Sequence, residues 1–503
     1  MNNAAAIPIL LPIGAALLTL LRPKPSQARR AFVTCAFAAL LVVALWLLAH
    51  VADHGAVVLR VGGWPVPFGI VLVVDTLAAI MLALSALTAL ACSLYGFAEE
   101  PSAQEHPLRL PLWLFLIAGI NLSFVTGDLF NLFVAFEVML LASYGLLTLE
   151  SDARESRGAL PYLTINLVGS ALFLATCGLT YSLFGTLNFA EIIVRADQLS
   201  GDPRLTLLGL LLLLVFGLKA GVFPLYYWLP NSYPILPAPL AAFYAGMLTK
   251  VGVYVLMRIF GTVLPPTEHA LHQLIAWTAG VTMIVGVLGA VGQSRVQVIL
   301  SYHIVSQIGF MVLAIGLHSV AAFVAAIFYI IHHIIVKSSL FLAGGIVIRA
   351  NGTDDLARTG GLWQAAPWLG LFFLLQAMSL AGIPPLSGFW GKLMIVQEGF
   401  VQREWVLVTL SLVASVLTMM SMLKIWLGAF WKKPPPAAVR VDAGSRRMTA
   451  VGVAMLAVSL TIGLGAEFFI RIASRAAHET LDRAGYVRSV NDANTTLYPG
   501  KHP

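Results

Sequence analysis

Glu137 lies in the run LFNLFVAFEVMLLASYGLL, Leu129 to Leu147, with no basic residue near it in sequence. Lone lysines repeat the pattern further along: Lys219 in LLLLVFGLKAGVFPL, Lys250 in AGMLTKVGVYVLM, Lys337 in IIHHIIVKSSLFLAGG and Lys392 in SGFWGKLMIV. An ionisable group inside a membrane span is costly to insert, usually faces a protein interior or wet cavity, and by default marks an ion or proton pathway. Such residues could move charge across a membrane. Each has a plainer alternative: Lys250 or Lys392 could snorkel to an interface, and Glu137 could sit in a structural salt bridge with Lys219. Desolvation disfavours an ammonium ion, whereas a nearby carboxylate restores it. Approach of Glu137 would hold a proton on Lys219, and its withdrawal would release the proton onward. Groups interacting this closely titrate as a set.

Polar residues lie between the lysines. His333 and Lys337 are four apart and share a helix face, and His332 adds a second imidazole. His303, Ser306 and Gln307, at spacings of three and four, form another candidate face. Histidine titrates near neutral pH and can relay protons, although His303 also fits a packed core histidine. The Ser and Gly residues of SSLFLAGG read as close helix packing.

The elements that must position these residues are membrane helices. Mean hydropathy is +0.88, and 11% of residues are charged, against roughly 25% in soluble domains. Apolar segments fall near residues 4–21, 31–49, 69–95, 108–126, 129–149, 161–184, 205–229, 238–260, 271–292, 297–317, 320–349, 366–400, 405–430 and 448–470. That predicts an all-α polytopic membrane protein with about fourteen spans, each near the roughly 20 residues a bilayer needs. Only Gly127 and Asp128 separate the fourth segment from the fifth. Val57 to Pro67 is too short and too rich in Gly and Pro to span.

The first segment lacks a charged start and is followed by Arg22, Lys24, Arg29 and Arg30, the pattern of an uncleaved helix with its N-terminus outside. Alternating from there, the loop with Lys432, Lys433, Arg440, Arg446 and Arg447 is also cytoplasmic, and both termini lie outside. The net charge of +7 then reflects topology and gives no reason to expect nucleic-acid binding. Cys35, Cys92 and Cys177 show no ligand spacing, so disulfides, iron–sulfur clusters and structural zinc are not expected. No P-loop or dinucleotide fingerprint is present. No cofactor is expected, and energy must come from an ion gradient or a partner.

An internal echo points to the transport machinery. Ala220 to Leu225 reads AGVFPL and Ala381 to Leu386 reads AGIPPL, each followed by aromatic residues. Proline removes a helical hydrogen bond and clashes with the preceding turn, so each string breaks an apolar span. Two ordinary proline kinks would also explain them. Paired broken segments in corresponding halves mark the transport site in repeat-built transporters, and Lys219 and Lys392 flank the two breaks.

The strings NLFVAFEVMLLASYGLL, GLKAGVFPLYYWLPNSYPILPAP, LSYHIVSQIGFMVLA, HHIIVKSSLFLAGG and MSLAGIPPLSGFWGKL resemble the proton-conducting antiporter-like subunits shared by respiratory complex I and the Mrp-type multisubunit cation/proton antiporters. The resemblance runs from about Asp75 to Lys424 and is strongest to the D-type branch of the Mrp subunits. It implies two inverted five-helix repeats, at 108–260 and 261–431, after N-terminal helices at 1–107 and before a loop, last helix and tail at 432–503. It implies Glu137 and Lys219 as a coupling pair, Lys250 as a central bridge, His333 and Lys337 as continuing the axis, and Lys392 as its terminal group. It further implies a bacterial inner-membrane complex of about six or seven different subunits that exchanges sodium or another monovalent cation for protons. His303 stands where many relatives carry a small hydroxyl residue. The nearest competing expectation is a pumping subunit of a quinone- or ferredoxin-linked redox complex. A membrane scaffold and a stand-alone solute symporter are the others.

Overall fold

The computed structural model describes residues 2–149, 153–267, 269–433 and 441–495. An N-terminal group comprises α1 (Ile7–Leu21), α2 (Gln27–His54) and α3 (Thr76–Glu99), with strands β1 (Val57–Arg60) and β2 (Val71–Val74) paired antiparallel between α2 and α3. There follow α4 (Arg109–Val125), α5 (Leu129–Thr148), α6 (Ala153–Phe184), α7 (Phe189–Gln198), α8 (Pro203–Ala220), α9 (Trp228–Ser232) and α10 (Ala238–Met257). The second half comprises α11 (His269–Gly292), α12 (Val296–Leu317), α13 (Val320–Asn351), α14 (Leu362–Ala365), α15 (Pro367–Ala381), α16 (Ser387–Val401) and α17 (Trp405–Trp426). Helices α18 (Ala443–Leu464), α19 (Ala466–Leu481) and α20 (Arg483–Thr495) close the chain's described part.

Among the described residues twelve helices are long and apolar enough to cross a membrane, and α4 and α15 are shorter apolar helices. These fourteen correspond one for one to the segments expected from sequence, and the protein is a multi-pass membrane protein. The differences are local. Segment 69–95 opens as strand β2, because Asp75 caps α3 by accepting from the Ala78 amide at 2.9 Å. Segment 366–400 is two helices, α15 and α16. Segment 448–470 runs past the end of α18 at Leu464 into α19. The fourth and fifth segments do separate, since Asp128 accepts from the Asn131 amide at 2.8 Å and starts α5. Arg440 and the chain beyond 495 lie outside the described residues. The β-hairpin and the amphipathic α7 and α19 were not anticipated.

Two ends of the bundle are defined by their polar ties. At the hairpin end Arg60 donates to the Val490 carbonyl, Arg475 to Val51, and Arg483 to Thr262, while Asp128 and Asn188 form a bridge. At the opposite end Arg349 donates to the Glu99 carbonyl and to Asp442, and Arg295 pairs with Asp354. Arg30 there forms a buried pair with Glu105 at 2.8 Å. Removing one partner of a buried pair strands the other charge, which typically costs about 3–5 kcal/mol. Glu105→Ala is therefore expected to lower the thermal unfolding midpoint of the purified protein in detergent clearly. An unchanged midpoint would show that Arg30 is already solvated.

Helices α10 and α13 form the centre. Every residue of α10 is buried, as is α13 from Ala322 to Val347. Their small residues allow close approach: a Cβ on Gly246 would stand 2.3 Å from Ser338 Oγ.

Candidate functional site

Helix α8 ends at a left-handed residue, Gly221 (φ 80°), whose amide bonds the Gly217 carbonyl at 2.9 Å. Helix α15 ends the same way at Gly382 (φ 95°), bonding Met378 at 3.1 Å. Glycine serves both positions because a side chain disfavours positive φ. A helix C-terminus carries partial negative charge and favours a cation, and each break holds one. Lys219 lies in the last turn of α8. Lys392 reaches back from α16 and donates to the Ala381 carbonyl at 3.1 Å. The two strings read as breaks from sequence are therefore equivalent, and more than simple kinks.

Around the first break, Lys219 Nζ donates to the backbone and side-chain oxygens of Asn166 on α6, at 3.4 and 3.3 Å. Phe136 stacks beneath it at 5.7 Å, and Glu137 on α5 is its charged neighbour. No salt bridge joins Glu137 to Lys219 among the described residues, and Glu137 Oε1 is buried without a hydrogen-bond partner. The plain structural salt bridge considered from sequence is thus absent, because Lys219 is turned to Asn166. Glu137 is half-buried and shares its face of α5 with exposed Phe130, Val134 and Leu141.

The central groups lie deeper. Lys250 is fully buried and donates to the Ala245 carbonyl at 2.5 Å and Thr249 Oγ1 at 3.2 Å, so it does not snorkel. Lys392 is held at the second break, 4.7 Å over Phe310, and does not snorkel either. Lys337 is fully buried, with no hydrogen-bond partner among the described residues, and lies 5.7 Å from the Phe341 ring. Lys250, Lys337 and Lys392 are all charged neighbours of His333, whose two ring nitrogens have no partner among the described residues. Lys337 and Lys392 also neighbour His303, which bonds Ser421 on α17 at 2.6 Å. The two groups adjoin where α10 meets α8: a Cβ on Gly252 would stand 2.5 Å from the Ala220 amide and 2.9 Å from the Lys219 carbonyl carbon.

The secondary candidates divide. Gln307 donates to Thr418 on α17 at 3.3 Å and accepts from the Tyr329 hydroxyl, which places it beside His303. Ser306 does not join them; its hydroxyl ties α12 to the Met283 carbonyl of α11 at 2.9 Å. The offset of three turns it toward α11, while the offset of four keeps Gln307 facing α17. His332 points to the second break, bonding Ser387 at 2.7 Å, and Ser387 contacts Ser379 at 3.0 Å and Ser459 at 3.4 Å. Sequence reasoning missed Asn166, Tyr329 and Ser387. Asn166, a lone amide in YLTINLVGS, was the one most open to discovery.

Residues 126–418 match the family described as the NADH:quinone oxidoreductase/Mrp antiporter membrane subunits. The chain belongs to this family. All ten candidate residues from Glu137 to Lys392 fall inside the matched region. Relatives include the D-type subunit of the Na(+)/H(+) antiporter of Alkalihalophilus pseudofirmus, 40% identical over 97% of this chain and 99% of the relative. The corresponding Bacillus subtilis protein is 38% identical over the same shares. Among solved structures, a chain of the Mrp complex of a Dietzia species aligns with TM-score 0.90 and 30% identity, covering 97% of this chain and 99% of that one. A chain of the membrane-bound sulfane sulfur reductase, an archaeal respiratory membrane complex, aligns with TM-score 0.89 and 25% identity over the same shares.

Proposed function

We propose that this protein is the proton-translocating D-type subunit of a multisubunit monovalent cation/proton antiporter, with sodium as the exchanged cation, and a transporter component rather than an enzyme. The carrying observation is the set of titratable groups formed by half-buried Glu137 and by buried Lys219, Lys250, His333, Lys337 and Lys392, which reaches from one helix break to the other. Protons move along this row, and switching of Glu137 toward and away from Lys219 couples their movement to the cation. His303, His332 and Gln307 are side relays. The full-length likeness to two D-type antiporter proteins supports the reading. So does the position of Glu137: a carboxylate among exposed apolar residues at membrane depth requires protein cover, which other members of the complex supply. A pumping subunit of a quinone- or ferredoxin-linked redox complex is the second reading, favoured by the likeness to the archaeal respiratory complex. Neighbouring genes for flavin and iron–sulfur proteins would select it.

Orientation follows from charge. Arg22, Lys24, Arg29 and Arg30, with Lys432, Lys433, Arg446 and Arg447, cluster at the end opposite the hairpin, so that end is cytoplasmic by the positive-inside rule. The hairpin end, with the start of α1 and the end of α20, faces outward from a bacterial inner membrane.

The test is Glu137→Gln in the assembled complex, with cation-dependent proton flux measured in everted membrane vesicles. Flux is expected to fall at least about tenfold, equivalent to roughly 1.4 kcal/mol. Wild-type flux from an intact complex would overturn the coupling role.

A further inference from the structure

Lys250, Tyr254 and Arg258 recur at intervals of four along α10 and the π-helical turn that continues it, Arg258–Val263. That spacing puts them on one helix face leading to the hairpin end. Arg258 forms a buried ion pair with Asp75, at 2.7 Å between Nη1 and Oδ2, and its Nη2 donates to Oδ1 at 2.9 Å. Nη2 also donates to the Tyr254 hydroxyl at 3.0 Å, and that hydroxyl donates to the Phe124 carbonyl at 2.5 Å. The rings of Tyr254 and Tyr486 flank the guanidinium at 5.4 and 5.7 Å. Beyond Asp75 lies a cavity of about 170 Å³ whose lining includes Asp75, Glu479, Asp482, Tyr486 and Ser489. Glu479 is fixed at the start of α3, accepting from the Thr76 amide at 2.9 Å. The Lys250 ammonium meanwhile points the other way, toward Ala245.

A buried ion pair is weak evidence for a stabilising role, since well-packed apolar replacements are often neutral or better. Here the pair stands between a polar cavity and the hydroxyl next along the face from Lys250. We infer that Tyr254, Arg258 and Asp75 form a branch of the proton path from the hairpin end to Lys250, with the Asp75–Arg258 pair as its gate. This rests on the proposed function and extends it by naming the route and its closure.

In the closed state the carboxylate holds Arg258 across the Tyr254 hydroxyl. A proton arriving from the cavity neutralises Asp75 and frees the guanidinium, which keeps its charge and turns toward Glu479 and Asp482. Hydronium then reaches Tyr254. Once Lys250 has passed its proton onward and its neutral amine has turned toward Tyr254, the phenol oxygen takes a proton from the hydronium as the phenol passes its own to that amine, leaving water, a neutral tyrosine and a charged lysine. Lys250 swings back to Ala245, and the pair re-forms once Asp75 returns its proton to the cavity.

The experiment uses the whole complex in membrane vesicles, with assembly verified by co-purification of its members. Tyr254→Phe keeps the ring and removes the relaying hydroxyl, and is expected to cut cation-dependent proton flux at least about tenfold. The double variant Asp75→Asn with Arg258→Gln opens the gate without stranding a charge. It is expected to collapse an imposed pH gradient in the absence of transported cation, a leak that a purely structural tie would not produce. Lys250→Met is the reference and is expected to abolish flux. Wild-type flux in Tyr254→Phe alongside lost flux in Lys250→Met overturns the branch and leaves the proposed function standing. Wild-type flux in Lys250→Met overturns both. Should the double variant fail to assemble, Tyr254→Phe alone decides.

Discussion

Lys219→Ala is expected to bring cation-dependent proton flux to background while the complex still assembles. The structural loss is modest: two long hydrogen bonds to Asn166, at 3.3 and 3.4 Å, in a range where a good hydrogen bond contributes only about 0.5–1.5 kcal/mol. The α8 terminus remains capped by Gly221 and by Trp228, whose indole donates to the Leu218 carbonyl at 3.1 Å. The functional loss is expected to be large, because under the proposed function Lys219 is the proton carrier at the first break, and it is the cation beside Glu137. Lys219→Arg sharpens the test. Arginine keeps the charge but does not release its proton in a protein, so it is expected to be inactive as well. Full activity in the alanine variant would sink the proton role. Full activity in the arginine variant alone would reduce Lys219 to a fixed charge.

Gly388→Ala is expected to be the most damaging single methyl in the second half. Its Cβ would lie 1.9 Å from the Ser379 carbonyl oxygen and 2.9 Å from His332 Cε1 and Nε2. The first turn of α16 would have to leave the last turn of α15, breaking the Ser387–His332 contact. Overpacking of this kind costs about 1–3 kcal/mol, occasionally more. A lowered unfolding midpoint and flux reduced several-fold are expected. Gly178, with nothing within 4 Å of an added Cβ, is the control, and Gly178→Ala is expected to leave both unchanged. Equal effects from the two substitutions would show that the second break tolerates displacement.

The span architecture was legible because hydrophobic run length is a direct record of bilayer thickness. The two breaks were legible too, since glycine and proline announce what the backbone does at 221 and 382. Contact between residues far apart in sequence was harder to read. Lys219 faces Asn166 rather than Glu137, a choice set by how α6 packs on α8. Ser306 and Gln307 diverge because one helical step separates α11 from α17. The hairpin was missed because its strands are four residues each and merge into the apolar run of α3. The file from Lys250 to Arg258 was present as a spacing of four, but its acid partner Asp75 lies at the start of another helix.

Helix α10 carries a mechanical consequence. Its backbone meets the end of α8 at Gly252 and the α13 side chain Ser338 at Gly246, so closely that not even a methyl group would fit. A rod gripped this tightly along its length cannot rock or slide without unpacking the core. Under the proposed function, alternation between states would then belong to side-chain rotamers and transient threads of water, with a rigid frame setting the distances that they must bridge. If protons move along the row as proposed, turnover would be paced by how often a water thread forms between the lysines, and stiffening the helices further would leave the rate untouched.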